Sequence, residues 1–320
     1  MRRVFVVTMF VAILLWAFLP AAYAANYSWT ALPDCAGWTT IASSINDSGQ
    51  IAGVYYDNSI GRAHGYLYDN GSFTQLDFPG SVWTSPNRIN SSGQVVGSYG
   101  MSVSDSHSFL YSNGSYTALN YPGSSYSIAY GINDKGQVVG TTDDSQSHYH
   151  NFLYSNGAYS ILPDYPGADQ TLVLGINDNG LIVGSYEVDG SNGTLWHVFL
   201  YDGSTFKTLD FPGAGETLVG SGINNPGQVV GNYEDKNGGR HGFLYDGGVF
   251  TTLDYPGISW SADSYGLNDI NDKGQIVGGY SDMNGKHHAF LATPVPDPST
   301  VLLFGSGLAG IGLLRRRIRA

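Results

Sequence analysis

The chain has 320 residues, a formal net charge of −12 at neutral pH and one cysteine, Cys35. From Ala25 to Thr293 it carries 25 of the 26 acidic residues but only 8 of the 14 basic ones, a net charge near −17. Such a surface repels nucleic acid and anionic lipid, and a lone cysteine excludes an internal disulfide framework, so Cys35 reads as a packed apolar residue.

In chain order, Arg2 and Arg3 precede an apolar run from Val4 to Leu19, then Pro20 and the triplet Ala22-Tyr23-Ala24. Charged, apolar and small-residue regions in that order predict a signal peptide over 1–24, and the run is shorter than a spanning helix needs. Next comes a short strand, Tyr27 to Leu32, and then a six-fold repeat over 25–293. Its signature is Ile-Asn-Asp-x-Gly-Gln, beginning at Ile45, Ile89, Ile132, Ile176, Ile223 and Ile270, with spacings of 44, 43, 44, 47 and 47.

Each unit reads as four short strands, typified by Phe-Thr-x-Leu-Asp, x-Gly-Ile-Asn, Gly-Gln-Val-Val-Gly-x-Tyr and His-x-Phe-Leu-Tyr. Val, Ile, Tyr, Phe and Thr between Gly, Asn, Asp and Pro punctuation argue for strands. Four strands in each ~44-residue unit is the arithmetic of a propeller blade, so the expected fold is an all-β six-bladed β-propeller, with an open array of sheets as the rival. Asn70-Gly71, Asn113-Gly114 and Asn156-Gly157 suit two-residue hairpins, whereas the Pro-Gly segments, such as Phe78-Pro79-Gly80, suit the longer crossing between blades. That phasing makes the Ile-Asn strand innermost, where Gly131, Gly175 and Gly222 permit crowding, and lets Tyr27–Leu32 complete the last blade. Tight turns then fall on one face of the disc, and the Pro-Gly links and variable loops on the other.

Beyond the repeats, Pro294-Val295-Pro296-Asp297-Pro298 precedes an apolar segment, 301–314, and the basic end Arg315-Arg316-Arg317-Ile318-Arg319. The segment predicts a short apolar helix. The tail over 294–320 resembles that of the PEP-CTERM proteins of Gram-negative bacteria, with Asp297 where that family usually has Glu. The resemblance implies recognition of Pro296, Asp297, Pro298, Arg315, Arg316 and Arg317 by an exosortase, transient anchoring in the inner membrane, and then a place at the cell surface or outside the cell. The His-led strands at His64, His107, His150, His197, His241 and His288 resemble the extracellular repeats named HAF, which bring no established ligand.

No H-E-x-x-H, G-x-S-x-G or phosphate-cradling loop is present, which argues against an enzyme without excluding one, and a histidine once per blade, away from the axis, reads as structural. His148 beside His150 and His287 beside His288 lack a carboxylate at metal-ligand spacing, so no metal or other cofactor is expected. The acidic stretches Asp143-Asp144, Glu187-Val188-Asp189, Glu234-Asp235 and Asp282 offer oxygens to Ca²⁺, but none has the spacing of a calcium loop.

One pattern points to a ligand. Three residues after the glycine of the Pro-Gly link stand Trp83, Tyr126, Gln170, Glu216 and Trp260, and Trp38 follows a degenerate copy of that link. Aromatic faces mixed with amide and carboxylate groups on one rim suit sugar rings and their hydroxyls. The expected function is therefore a non-catalytic surface or matrix module that binds an extracellular polysaccharide or a surface protein. The alternative is a propeller lyase or hydrolase using Glu216 or Glu187.

Overall fold

The computed structural model describes residues 27–295 apart from 145, 147, 191–192 and 258–265. The expected signal peptide, C-terminal apolar helix, sorting residues Pro296, Asp297, Pro298, Arg315, Arg316 and Arg317, and Trp260 all fall outside the described residues.

Six four-stranded antiparallel sheets form the six blades of a propeller. In the first blade the strands run Thr39–Ile45, Ile51–Asp57, Arg62–Asp69 and Ser72–Gln75, paired in chain order from the axis outward. The last blade takes its outermost strand from the other end of the chain: Tyr27–Ala31 pairs with His287–Pro294, with Tyr27 opposite Pro294. The ring is thus closed, not an open array, and no inner or middle strand of the last blade is left with a bare edge.

Turn chemistry explains the meander. At Asn70-Gly71 both residues have positive φ, 47° and 86°, the backbone a two-residue hairpin requires. Each blade is then filled by one aromatic ring from its third strand: Tyr66, Phe109, Phe152, Phe199, Phe243 and Phe290 are all at most 1% exposed. The ring lies where the second strand has glycine. A Cβ on Gly140 would come within 2.1 Å of the Ile128 carbonyl and 2.7 Å of Phe152, so no larger residue fits.

Neighbouring blades are joined at both ends of the disc. On the face of the Pro-Gly links, Phe78, Tyr165, Phe211 and Tyr255 each stack on a tyrosine of the blade they lead into, as Phe78 on Tyr99 at 3.6 Å and Tyr165 on Tyr186 at 3.7 Å between centroids. On the opposite face, the signature asparagines form a closed circuit. Asn46 donates to the Asn90 carbonyl, Asn90 to Asn133, Asn133 to Asn177, Asn177 to Asn224, Asn224 to Asn271 and Asn271 back to Asn46, each at 3.0–3.1 Å. Each Asn Oδ1 also accepts backbone N–H groups of its own turn, as Asn133 does from Lys135 and Gln137. This is why the motif needs Asn: the side chain must accept within its blade and donate to the next.

Candidate functional site

The innermost strands carry the features that shape the axis. Each has a β-bulge, seen as a register shift between Ala42 and Ser44, Pro86 and Arg88, Ala129 and Gly131, Val173 and Gly175, Gly220 and Gly222, and Leu267 and Asp269. A bulge leaves one residue unpaired and re-aims it. The unpaired residues Ser43, Asn87, Tyr130, Leu174, Ser221 and Asn268 are those that ring an axial cavity of about 260 Å³. Tyr56 and Arg88 also line it. Burial pushes the Tyr130 phenol well above its ordinary value, with the neighbouring Tyr126 adding to the effect.

One residue further along each strand, the blades split into two sets of three. Gly131, Gly175 and Gly222 leave space, and Ser44, Arg88 and Asp269 fill it. A Cβ on Gly222 would lie 2.8 Å from Asp269, and one on Gly175 3.6 Å from Arg88. Arg88 pairs with Asp269 across the axis and donates to the Leu174 and Ser221 carbonyls. Asp269 also accepts from the Ser44 hydroxyl and the Ile45 N–H. Burial pushes the Asp269 carboxyl up, against the opposing pull of Arg88 and these donors. The pair separates the axial cavity from a second, smaller opening of about 70 Å³ on the tight-turn face.

Beside the axial cavity, and sharing Leu174, Val219, Ser221 and Asn268 with it, a larger hollow of about 630 Å³ opens over the last three blades. Leu172, Leu174, Leu218 and Val219 provide apolar wall, while Trp196, Glu216, Arg240, Asn232 and Ser185 provide an aromatic face and polar groups. Trp196 arrives there on a strand pair of unusual length, Ile182–Gly190 and Gly193–Tyr201. Its backbone N–H donates to Glu216 Oε1 at 2.7 Å, which ties the fourth blade to the fifth. Arg240 lies 3.6 Å from Glu234, the residue opposite Glu216 in the sheet.

The residues singled out from sequence divide among several places. Glu216 lines this hollow, and Gln170 lines a separate one of about 470 Å³ with His148, Asp169 and Glu187. Trp38, Trp83 and Tyr126 line none of these cavities. Trp83 donates from Nε1 to the Ser102 carbonyl, and Tyr126 meets the edge of Tyr149 at 5.3 Å, both within their own blades. Sequence reasoning missed Trp196, Tyr56, Tyr130 and the bulge residues. The longer spacing of that repeat, 47 residues from Ile176 to Ile223, was the available sequence signal for Trp196.

Four of the six repeated histidines hold the blades' outer parts, while His107 and His150 meet Asp105 and Asp144 of the variable loops. Nδ1 of His64, His197 and His241 meets Asp77, Asp210 and Asp254 of the same blade at 2.6–2.9 Å, and His288 meets Asp34 at 3.1 Å. Several also stack on a tyrosine, as His197 on Tyr186 at 4.9 Å. Burial disfavours the charged His241 ring, but the Asp254 and Asp235 carboxylates outweigh it and raise the pKa above the ordinary value. A raised histidine pKa stabilises the fold fully below the unfolded value near 6.5, and that stability is lost as pH rises through the folded value. Between pH 6 and 8 the wild type should therefore lose slightly more thermal stability than His241→Gln, a difference of about 1 °C in midpoint, readable by calorimetry. Equal losses would show that the pair contributes nothing.

The acidic loops are occupied with their own backbone. Asp235 accepts from the Gly239 and Asn237 N–H groups and Asp282 from those of Lys286 and Asn284, bonds that hold both carboxyls below the usual range. Among the described residues, no group of three or more His, Cys, Asp or Glu side chains is placed to hold a metal ion.

Two family profiles match the chain. One, a protein of unknown function (DUF3466), matches residues 159–256, and the other, the PEP-CTERM protein-sorting motif, matches residues 294–317. No curated protein matches. Among solved structures, a putative TolB from Agrobacterium tumefaciens is 16% identical with a TM-score of 0.51, over 81% of this chain and 91% of that one. TolB from Acinetobacter baumannii is 12% identical with a TM-score of 0.51, over 76% of this chain and 63% of that one. A lectin from Aleuria aurantia is 11% identical with a TM-score of 0.48, over 81% and 97%. At these identities the TolB likenesses are likenesses of fold. The C-terminal motif is the tag for exosortase processing, and it marks this chain as exported and sorted through its C-terminus.

Proposed function

We propose that this exported propeller is a non-catalytic carbohydrate-binding module, presented at the cell surface or released into an exopolysaccharide matrix. The observation that carries the reading is the paired hollow on the loop face. Trp196, Tyr56 and Tyr130 offer aromatic faces beside the amides and hydroxyls of Asn87, Asn268, Ser43 and Ser221. Sugar rings present both an apolar face and a ring of hydroxyls, and so match such a lining. The residues Trp38, Trp83, Tyr126, Gln170 and Trp260 are proposed as outer contacts for a longer chain. Glu216 is the one carboxylate lining the paired hollow, and the protein around it is net acidic, so neutral polysaccharides are the favoured ligands.

A glycan array probed with the exported protein tests this reading. Binding to a limited set of neutral glycans is expected, at least tenfold weaker after Trp196→Ala, from the loss of about 1.5–3 kcal/mol of buried aromatic contact. No binding to any glycan, or equal binding by the variant, would remove the proposal.

The second reading, a lyase or hydrolase, draws on one observation: Glu216 lines the larger hollow with Glu234 as its cross-strand partner. It requires turnover of the bound polymer.

A further inference from the structure

We infer that, while the C-terminal segment holds the protein at the membrane, the tight-turn face is turned toward that membrane and the loop-face hollows point away from it. The inference rests on the reading of 301–314 as a transient anchor and concerns how the binding site is presented.

It follows from where the described chain leaves the disc. The last strand, His287–Pro294, begins at the loop after Ser281 and ends at the tight-turn face, where Pro294 lies against the Asn271–Gly274 turn. Its partner strand runs the opposite way, with Tyr27 opposite Pro294, and the Tyr27 hydroxyl donates to the Gly274 carbonyl at 3.2 Å. Both ends of the propeller therefore leave on one face, at one blade, beside each other. All the hollows that bear the proposed ligand contacts open at the other end of the inner strands.

Chain length makes this placement binding on the tail. Pro294 and Val301 are seven residues apart in sequence, which can span at most about 25 Å, and Asp297 can lie no more than about 10 Å from Pro294. Whatever the conformation of that stretch, an enzyme that reads Pro296-Asp297-Pro298 works within about 10 Å of the Pro294 end of the disc. The carboxylates of Asp47, Asp134, Asp178 and Asp272 stand around the axis there and repel anionic headgroups, so the disc is tethered near the lipid without adhering to it.

The test uses cells lacking the processing enzyme, so that the full chain keeps its tail. With Cys35→Ala as background, a donor dye is attached through Asn179→Cys on the tight-turn face or Asn237→Cys on the loop face, and a lipophilic acceptor is added to the membrane. The protein should fractionate with membranes, and energy transfer from position 179 should exceed that from 237 by at least twofold. Equal transfer, or more from 237, overturns the orientation. Recovery in the soluble fraction instead overturns the anchoring reading beneath it. A flexible insertion of about 20 residues after Val295 should abolish the difference, and its persistence would show that the short tether is not the cause.

Discussion

Asp269→Ala is expected to lower the melting midpoint by roughly 6–20 °C, the largest effect of any single polar substitution in the protein. Removing one partner of a buried pair leaves the other charge uncompensated and costs about 3–5 kcal/mol, and each kcal/mol moves a domain of this size by about 2–4 °C. Arg88 cannot discharge, because its guanidinium stays protonated in any accessible pH range. Arg88→Met is expected to be milder, since the Asp269 carboxyl, already pushed up by burial, can take a proton instead. A carboxyl whose folded pKa is raised binds protons more tightly folded than unfolded. Arg88→Met should therefore gain stability as pH falls from 7 toward 5, and Asp269→Ala should not. Replacing both, Arg88→Met with Asp269→Leu, should recover most of the loss. Thermal melts of the three variants at two pH values decide it. Identical pH behaviour of the two single variants would show that the pair is not the charge balance described.

Asn133→Ala is expected to cost about 3 kcal/mol, or roughly 6–12 °C in midpoint. It removes bonds to the Asn177 carbonyl and the Gln137 side chain, and two from its own turn's N–H groups. Asn133→Asp discriminates between shape and hydrogen-bond polarity. It keeps the acceptor that serves the turn but places an anion against the Asn177 carbonyl in a site only 4% exposed. A loss as large as that of Asn133→Ala is predicted. A shift below about 2 °C would mean that the circuit of asparagines does not join the blades.

Much of this architecture is legible in the sequence because turn chemistry is local. Gly after Asn or Asp specifies which links are tight, and once those are known, strand order, the innermost strand and the closing strand Tyr27–Ala31 follow. The space left by Gly131, Gly175 and Gly222 is legible too, but not what fills it: Arg88 and Asp269 meet only because the ring closes, and nothing in their local sequences refers to the other. The site is harder still. A bulge adds one residue without breaking the apparent Gly-Ile-Asn period, and Ser43, Asn87, Tyr130, Leu174, Ser221 and Asn268 share no chemistry that would align them. The rim residues Trp83 and Tyr126 illustrate the remaining gap. Their spacing places them at the loop end of the inner strand, but which way each ring turns is set by neighbours such as Ser102 and Tyr149.

The direct measurement is to mix the exported protein with a polysaccharide that it retains on the array and to follow binding and product release together, for wild type and Glu216→Gln. The account predicts saturable binding that Trp196→Ala weakens at least tenfold, with no new chain ends or unsaturated products from wild type over many binding lifetimes. Products that appear with wild type and vanish with Glu216→Gln would contradict it and make the hollow a catalytic one.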